Sequence, residues 1–224
     1  MVLLVAGFWI ALCLGVALTI PDWGAEYTRF AWPLAGCVVG YLVASVWAFR
    51  RSACSSRDLW VVWGAAVLWR ALLVGAPPTL SDDLFRYIWD GRVLLAGLHP
   101  YAFAPLAPEL SHLRDALWSR INHPELPTIY PPLLILVFAA SAWISPTVTG
   151  WKLTAALFDL AAGYQLMRTF QARGEPAVRV LAYLWHPLLL VEFAGNGHAD
   201  AVGLFLVATA FRAWTERRPL RAGV

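Results

Sequence analysis

The chain has 224 residues, of which 60% are hydrophobic and only 14% are charged, and its formal net charge is +3. A soluble globular domain carries about 25% charged residues, so the composition argues against that class. The arginines cluster at the ends of apolar runs, where they set membrane topology, and the small positive charge is therefore not a nucleic-acid signal. The composition predicts a polytopic integral membrane protein.

Apolar runs of membrane length predict an all-α fold with about six to seven membrane segments in a single domain. The runs lie near residues 2–20, 30–49, 59–76, 131–145, 152–170, 178–194 and 200–214. The first run lacks a basic start and a cleavage site, so we expect a retained span. Tryptophans near span ends are typical of interfacial belts, although others pack between helices. The end-of-span tryptophans are Trp23, Trp32, Trp60, Trp151 and Trp214.

The arginine distribution predicts the orientation. The loop at 50–58, with three arginines against one acid, should be cytoplasmic, and the long loop at 77–130, with four arginines against six acids, should then lie outside. Alternation of all seven segments would place further arginines outside as well, so one segment is expected to be re-entrant or interfacial. The charge rule favours 131–145 over 178–194 as the segment that does not cross the membrane. With either choice, residues 195–200 lie on the same membrane face as the long loop. The arginines concerned are Arg168, Arg173, Arg179, Arg217, Arg218 and Arg221.

The first polar motif begins the long external loop. Ser81 and Gly97 are start and stop signals that predict a helix along the membrane surface over residues 82–96. Its first turn holds Asp82 and Asp83, which could cap the helix, with Asp82 pairing to the arginine four residues on. Alternatively, a carboxylate there could take a proton from an acceptor hydroxyl or hold a divalent cation.

Two further motifs follow. Glu192 lies near an apolar segment, where an acid is either a functional candidate or a carboxylate that snorkels to the interface. His198 and Asp200 flank the next span. They form part of a site, or they are an ordinary loop histidine and a helix cap. The proline-rich stretch from His123 to Leu133 fixes an extended approach to the membrane, and its His123 and Tyr130 could line a site. Arg70 and Asp159 are charges inside spans, for which we expect an inter-helix pair or a pore-facing role.

Nucleotide and zinc signatures are absent: there is no Walker loop, dinucleotide fingerprint, zinc-spaced Cys/His set or Gly-x-Ser-x-Gly elbow. A soluble nucleotide is therefore not the obvious donor. The three cysteines imply no disulfide framework, and a divalent metal stays an open possibility.

In these motifs the chain resembles the polyprenol-phosphate-mannose-dependent mannosyltransferases of the type C glycosyltransferase superfamily, and within it the bacterial α-(1→6)-mannopyranosyltransferase group. The matching strings are Ser81-Asp82-Asp83…Arg86-Tyr87…Trp89-Asp90-Gly91-Arg92, Gly97…Pro100-Tyr101, His123-Pro124-Glu125…Pro127-Thr128-Ile129-Tyr130-Pro131-Pro132-Leu133 and Trp185-His186-Pro187…Glu192-Phe193-Ala194-Gly195-Asn196-Gly197-His198-Ala199-Asp200. They cover residues 77–210, and the combination is specific.

The resemblance implies inverting transfer of a hexose, mannose, from a polyprenyl-phosphate donor to a glycan or glycolipid acceptor, at the non-cytoplasmic face of the plasma membrane. Asp82 as the leading acid, with Asp83 beside it, would be catalytic, and Arg86, Arg92 or His198 would stabilise the departing lipid phosphate. The residues expected at the substrates are Arg86, Tyr87, Asp90, Arg92, His123, Tyr130, Glu192, Asn196, His198 and Asp200.

Such enzymes are longer than this chain, so the resemblance also implies the N-terminal portion of a larger enzyme, with later spans or a second chain completing the donor groove. We expect the chain alone to bind the donor weakly and not to turn over. Two alternatives are a non-catalytic partner subunit or truncated paralogue, and a lipid or solute transporter. A transporter should show related halves with broken helices in both, and the sequence shows no such symmetry.

Overall fold

The computed structural model describes residues 1–216, and the basic tail with Arg217, Arg218 and Arg221 lies outside them. The described residues form helices and turns without any β-strand, which confirms the all-α prediction. The helices are α1 (Val2–Leu18), α2 (Tyr27–Phe49), α3 (Ser56–Val74), α4 (Asp83–Leu95), α5 (Pro132–Ile144), α6 (Val148–Ala172), α7 (Leu181–Leu184), α8 (Pro187–Leu189) and α9 (Asp200–Thr215). Short 3₁₀ turns cover Pro108–Leu113, Trp118–Arg120 and Ala177–Val180, and a π-helical turn covers Leu190–Gly195.

Each apolar run of the sequence is helical, but few of the helices are both long enough and apolar enough to cross a membrane. By length and composition only α2 could cross a bilayer as a single helix among residues 1–216. The bent pair Ala177–Leu184 and Pro187–Gly195, with an angle of 57°, would be a second span if its two parts count as one. The 13 residues of α5 reach about 20 Å, against a hydrocarbon core of about 30 Å. The count of six to seven membrane segments is therefore not confirmed.

The larger core lies where α1, α2 and α3 surround the bend that follows α7. Trp185, at the bend, is fully buried, and its Nε1 donates to the carbonyl of Val62 at 2.9 Å. Its ring meets that of Trp69 edge-on, with centroids 4.9 Å apart. These two tryptophans fill the space that the broken helix leaves.

A buried ion pair joins α3 to α6. Arg70 Nε lies 2.6 Å from Asp159 Oδ2, and the same guanidinium donates to the carbonyl of Leu184 at 3.0 Å. Of the two roles expected from the sequence, the structure shows the inter-helix pair. Removing one member would leave an uncompensated buried charge, so we expect the loss of either side chain to destabilise the contact between α3 and α6.

The second core encloses α4 against α5 and α6. All residues from Leu84 to Gly91 are buried, so the prediction of a helix lying along the membrane surface is wrong in its burial. The helices approach closely at Gly91, where a Cβ atom would lie 2.6 Å from the carbonyl carbon of Phe138. Gly97 ends α4 as predicted, with φ +76° and a bond from the Leu98 amide to the carbonyl of Val93 at 3.1 Å.

The end-of-span tryptophans divide into two groups. Trp32, Trp60 and Trp214 are largely exposed, as interfacial belts require. Trp23 and Trp151 are buried, and each indole donates to a backbone carbonyl inside the protein. The acceptors are the carbonyl of Ala17, at 2.9 Å, and that of Gly197. The belt interpretation is therefore wrong for these two.

Candidate active site

The first and second polar motifs meet at one end of the helical body through Asn196. Its side-chain oxygen accepts from the Leu80 amide at 3.1 Å, and its amide nitrogen donates to the carbonyl of Val191 at 3.0 Å. Nearby, the Trp23 amide donates to Thr79 Oγ1 at 2.9 Å. Asn196 is buried and both of its polar atoms bond to the backbone, so it joins the segment before α4 to the turn before α9.

A residue of α6 holds the turn before α9 in place through a hydrogen bond. Gly197 has φ +75°, and its carbonyl accepts from the Trp151 indole. The neighbouring Lys152 is fully buried and donates to the carbonyls of Leu73 and Ala76. A cation there complements the end of α3, where carbonyls lack helical partners. The sequence analysis missed Lys152, although a lysine inside an apolar run was a signal.

Glu192 and His198 form a carboxylate–imidazole pair. Glu192 lies on the π-helical turn, and its Oε2 is 3.2 Å from His198 Nε2. The bond to Glu192 raises the pKa of His198 despite its partial burial, and the charges of Asp83 and Asp200 raise it further. The imidazole therefore holds its proton more firmly than a free histidine. The charge of Asp83, in the first motif, thus favours the same protonated form of His198 as the carboxylates of the second motif do.

The adjacent aspartates at the start of α4 have different partners. Asp83 Oδ1 accepts from Asn122 Nδ2 at 2.8 Å, and the charge of Asp83 acts on His198 and on the hydroxyl of Tyr87. Asp82 is exposed, and its nearest cation is Arg120, at 3.8 Å. Of the two roles considered for Asp82, the structure shows neither a side-chain cap of α4 nor an ion pair with Arg86, which bonds to Asp90 instead. Asn122 was also missed, although it directly precedes the third motif.

Arg86 is a buried support for the third motif. Its Nε lies 2.9 Å from Asp90 Oδ1, and its terminal nitrogens donate to the carbonyl of Leu126 at 2.8 Å and to that of His123 at 3.5 Å. Burial raises the pKa of Asp90, and the charge of Arg86 opposes that rise. His123, at φ 48°, is the one non-glycine residue with positive φ among residues 1–216. Arg86 thus fixes an uncommon backbone turn, which differs from the expected contact with a lipid phosphate.

A small cavity opens beside these groups. Its volume is about 140 Å³, below the roughly 300–1,000 Å³ of sites that enclose a drug-sized ligand, so it suits part of a ligand such as one sugar ring. Of the predicted site residues it brings together Asp83, Arg86, His123 and Tyr130, and the remaining lining is Asn122, Leu126, Pro127 and Ile129.

An aromatic cluster adjoins this cavity through Tyr130. The ring of Tyr87 lies edge-on to that of Tyr130, at 5.0 Å between centroids, and stacks on Phe138 at 4.9 Å. Burial raises the pKa of Tyr87, with a smaller contribution from the charge of Asp83, so its hydroxyl keeps its proton. Tyr87 is enclosed, and Tyr130 presents the more accessible edge.

Arg92 was expected at the substrates, but it does not line the cavity. Arg92 bonds to Asp115 Oδ2 at 2.8 Å and to the carbonyl of Leu113 at 3.1 Å, so it braces the loop and not the cavity. Within residues 1–216 no three His, Cys, Asp or Glu side chains are grouped to hold a metal ion.

Residues 3–224 match the profile of the family described as "Alpha-(1->6)-mannopyranosyltransferase, N-terminal domain", and the chain belongs to this family. A probable alpha-(1->6)-mannopyranosyltransferase of Mycolicibacterium smegmatis is 26% identical over 216 residues, covering 88% of this chain and 34% of the relative. The chain thus spans about a third of that relative's length. No solved structure matches the chain.

Proposed function

We propose that this chain carries the acidic side of the active site of a polytopic membrane glycosyltransferase. The enzyme transfers a hexose, mannose, from a polyprenyl-phosphate donor to a glycan or glycolipid acceptor at the non-cytoplasmic face of the plasma membrane. The observation that carries the proposal is that Asp83 lines a small cavity and its charge also acts on His198 of the Glu192–His198 pair, because an acid–base group and a nearby cation suit transfer from a lipid phosphate. Family membership supports the mannosyl group.

Outward-facing apolar side chains support the membrane setting. Leu4, Phe8 and Leu12 follow one another at four-residue spacing on α1, and all three are exposed. Val39 and Val43 form a similar exposed row on α2. Contiguous apolar surface of this kind is rare on soluble monomers and is stable against lipid.

Asp83 is the better placed of the two aspartates to act as the general base. It lines the cavity and is oriented by Asn122, whereas Asp82 is exposed beside Arg120. In the proposed step Asp83 takes the proton of the acceptor hydroxyl, whose oxygen forms a bond to the anomeric carbon. The bond between that carbon and the phosphate oxygen breaks with inversion, and the electron pair leaves on the phosphate, which protonated His198 stabilises.

The test is a transfer assay in membranes prepared from cells that express the protein from its native gene. Labelled polyprenyl-phosphate mannose and an oligomannoside acceptor should give product, while a sugar nucleotide supplied directly should not. Asp83→Asn should lower turnover by about 10²–10⁴-fold, the usual contribution of a general base, and Asp82→Asn is the matched control with a much smaller effect. Normal turnover of Asp83→Asn would contradict the assignment.

A further inference from the structure

An apolar groove runs between α1 and α2, away from the candidate active site. It has a volume of about 410 Å³, and every residue that lines it is apolar or glycine. The helices touch at Gly40, where a Cβ atom would lie 2.8 Å from Cγ1 of Ile10. On either side of this contact Trp9 and Val43 form the groove walls, and both are about half exposed.

A second hollow of about 600 Å³ continues the groove to a basic end. It shares Val2 and Val43 with the first and is closed by Arg50, Arg51 and Trp47. The guanidinium carbon of Arg51 lies 5.1 Å from the centre of the Trp47 ring. Within residues 1–216 neither arginine has a carboxylate at ion-pair distance. The hollow therefore ends in two uncompensated cations.

This basic end lies far from the candidate active site along α2. The other end of α2 adjoins Trp23, whose amide bonds to Thr79 just before the first polar motif. The 23 residues of α2 span about 34 Å, close to the thickness of a bilayer core. Arg50 and Arg51 thus lie at the level of the opposite membrane face.

We propose that this groove binds an anionic phospholipid, with an acyl chain along Val39 and Val43 and the phosphate at Arg50 and Arg51. The apolar walls match a hydrocarbon chain, and two unpaired guanidinium groups at the membrane surface match a net negative headgroup. A zwitterionic lipid offers the same chain without the net charge. The site rests on the proposed membrane setting but is independent of the transfer reaction.

Native mass spectrometry of the purified full chain in detergent, titrated with phosphatidylglycerol or phosphatidylcholine, tests the headgroup part. The wild type should retain phosphatidylglycerol preferentially. Arg50→Gln with Arg51→Gln should weaken that binding by roughly tenfold or more, since each basic residue near an anionic surface contributes substantially. The matched control, Arg57→Gln with Arg168→Gln, removes the same charge from residues outside the groove. Equal weakening in both double variants, or no preference in the wild type, would overturn the site.

Two further arms test the occupant. Val43→Trp should fill the groove and reduce phosphatidylglycerol binding, whereas Val67→Trp, at an equally exposed position on α3, should not. Tighter binding of polyprenyl phosphate than of phosphatidylglycerol at the same arginines would overturn the phospholipid assignment. Lipid binding without transferase activity would leave this site standing and count against the proposed function, and activity without selective lipid binding would do the reverse.

Discussion

His198 Nε2 lies 3.2 Å from Glu192 Oε2, so the two side chains form a carboxylate–imidazole pair in the turn before α9. The charge of Asp83 also raises the pKa of His198. The pair raises the pKa of His198 and favours its charged form. Arg86 and Arg92 are each already bonded to a carboxylate, so we expect the protonated imidazole of His198 to be the more available cation for a leaving phosphate.

Glu192→Gln should change how stability depends on pH. The folded pKa of His198 is above its unfolded value of about 6.5, so the pair's stabilisation is complete below that pH and is lost as pH rises through the folded pKa. The wild type should therefore exceed Glu192→Gln in thermal stability at mildly acidic pH, and the gap should narrow at alkaline pH. Glu125→Gln, beside the exposed His123, is the control. A gap that is constant with pH would contradict the pairing.

Gly91→Ala should strongly destabilise the protein. The new methyl group would meet the backbone of Phe138, which cannot rotate away, so α4 and α5 would have to separate. Overpacking of this kind costs about 1–3 kcal/mol or more. The control is Gly64→Ala. A Cβ atom added at this helical glycine would meet no neighbouring element within 4 Å, so the substitution should be neutral or stabilising because alanine favours helix. Thermal unfolding of both variants measures the difference, and similar melting temperatures would exclude the close approach.

Arg86→Gln should destabilise the protein by about 3–5 kcal/mol, because it leaves the buried carboxylate of Asp90 without its partner. Replacing both members, as Arg86→Met with Asp90→Leu, should recover much of this loss. The comparison separates a structural role from direct substrate binding, which predicts no such recovery of stability. Arg120→Gln, at an exposed arginine, is the control and should change unfolding little.

Asn196→Ala should cost about 1–3 kcal/mol of stability, since it removes both bonds of a buried side chain and leaves the Leu80 amide unsatisfied. Asn122→Ala removes one exposed bond to Asp83 and should cost less than about 1 kcal/mol. Denaturant or thermal unfolding in detergent compares the two. Equal losses would mean that Asn196 does not clamp the two motifs.

Helix positions were predictable from the sequence because they follow from apolar run length, and the end of α4 followed from the glycine at 97. The burial of α4 was not predictable. Arg86 stands four residues from both Asp82 and Asp90, so either ion pair satisfies helical spacing. The choice of Asp90 depends on the packing of α5, which no local pattern encodes.

Within the candidate site, motif membership was predictable and individual roles were not. Asn196 and Arg86 were expected at substrates, but both make backbone bonds across more than thirty residues of sequence. Trp151 and Lys152 likewise act on distant carbonyls. Such long-range partners arise from tertiary packing, so spacing alone could not identify them.

The most direct test of the claim that the two motifs form one site is the pKa of His198, measured by NMR of isotope-labelled histidine in nanodiscs. Asp83→Asn should lower this pKa, because the charge of Asp83 contributes to its rise, and Glu192→Gln should lower it further. Asp82→Asn, which removes the same charge one residue away, should leave it nearly unchanged. A pKa of His198 that is insensitive to Asp83→Asn, or that responds equally to Asp82→Asn, would contradict the account.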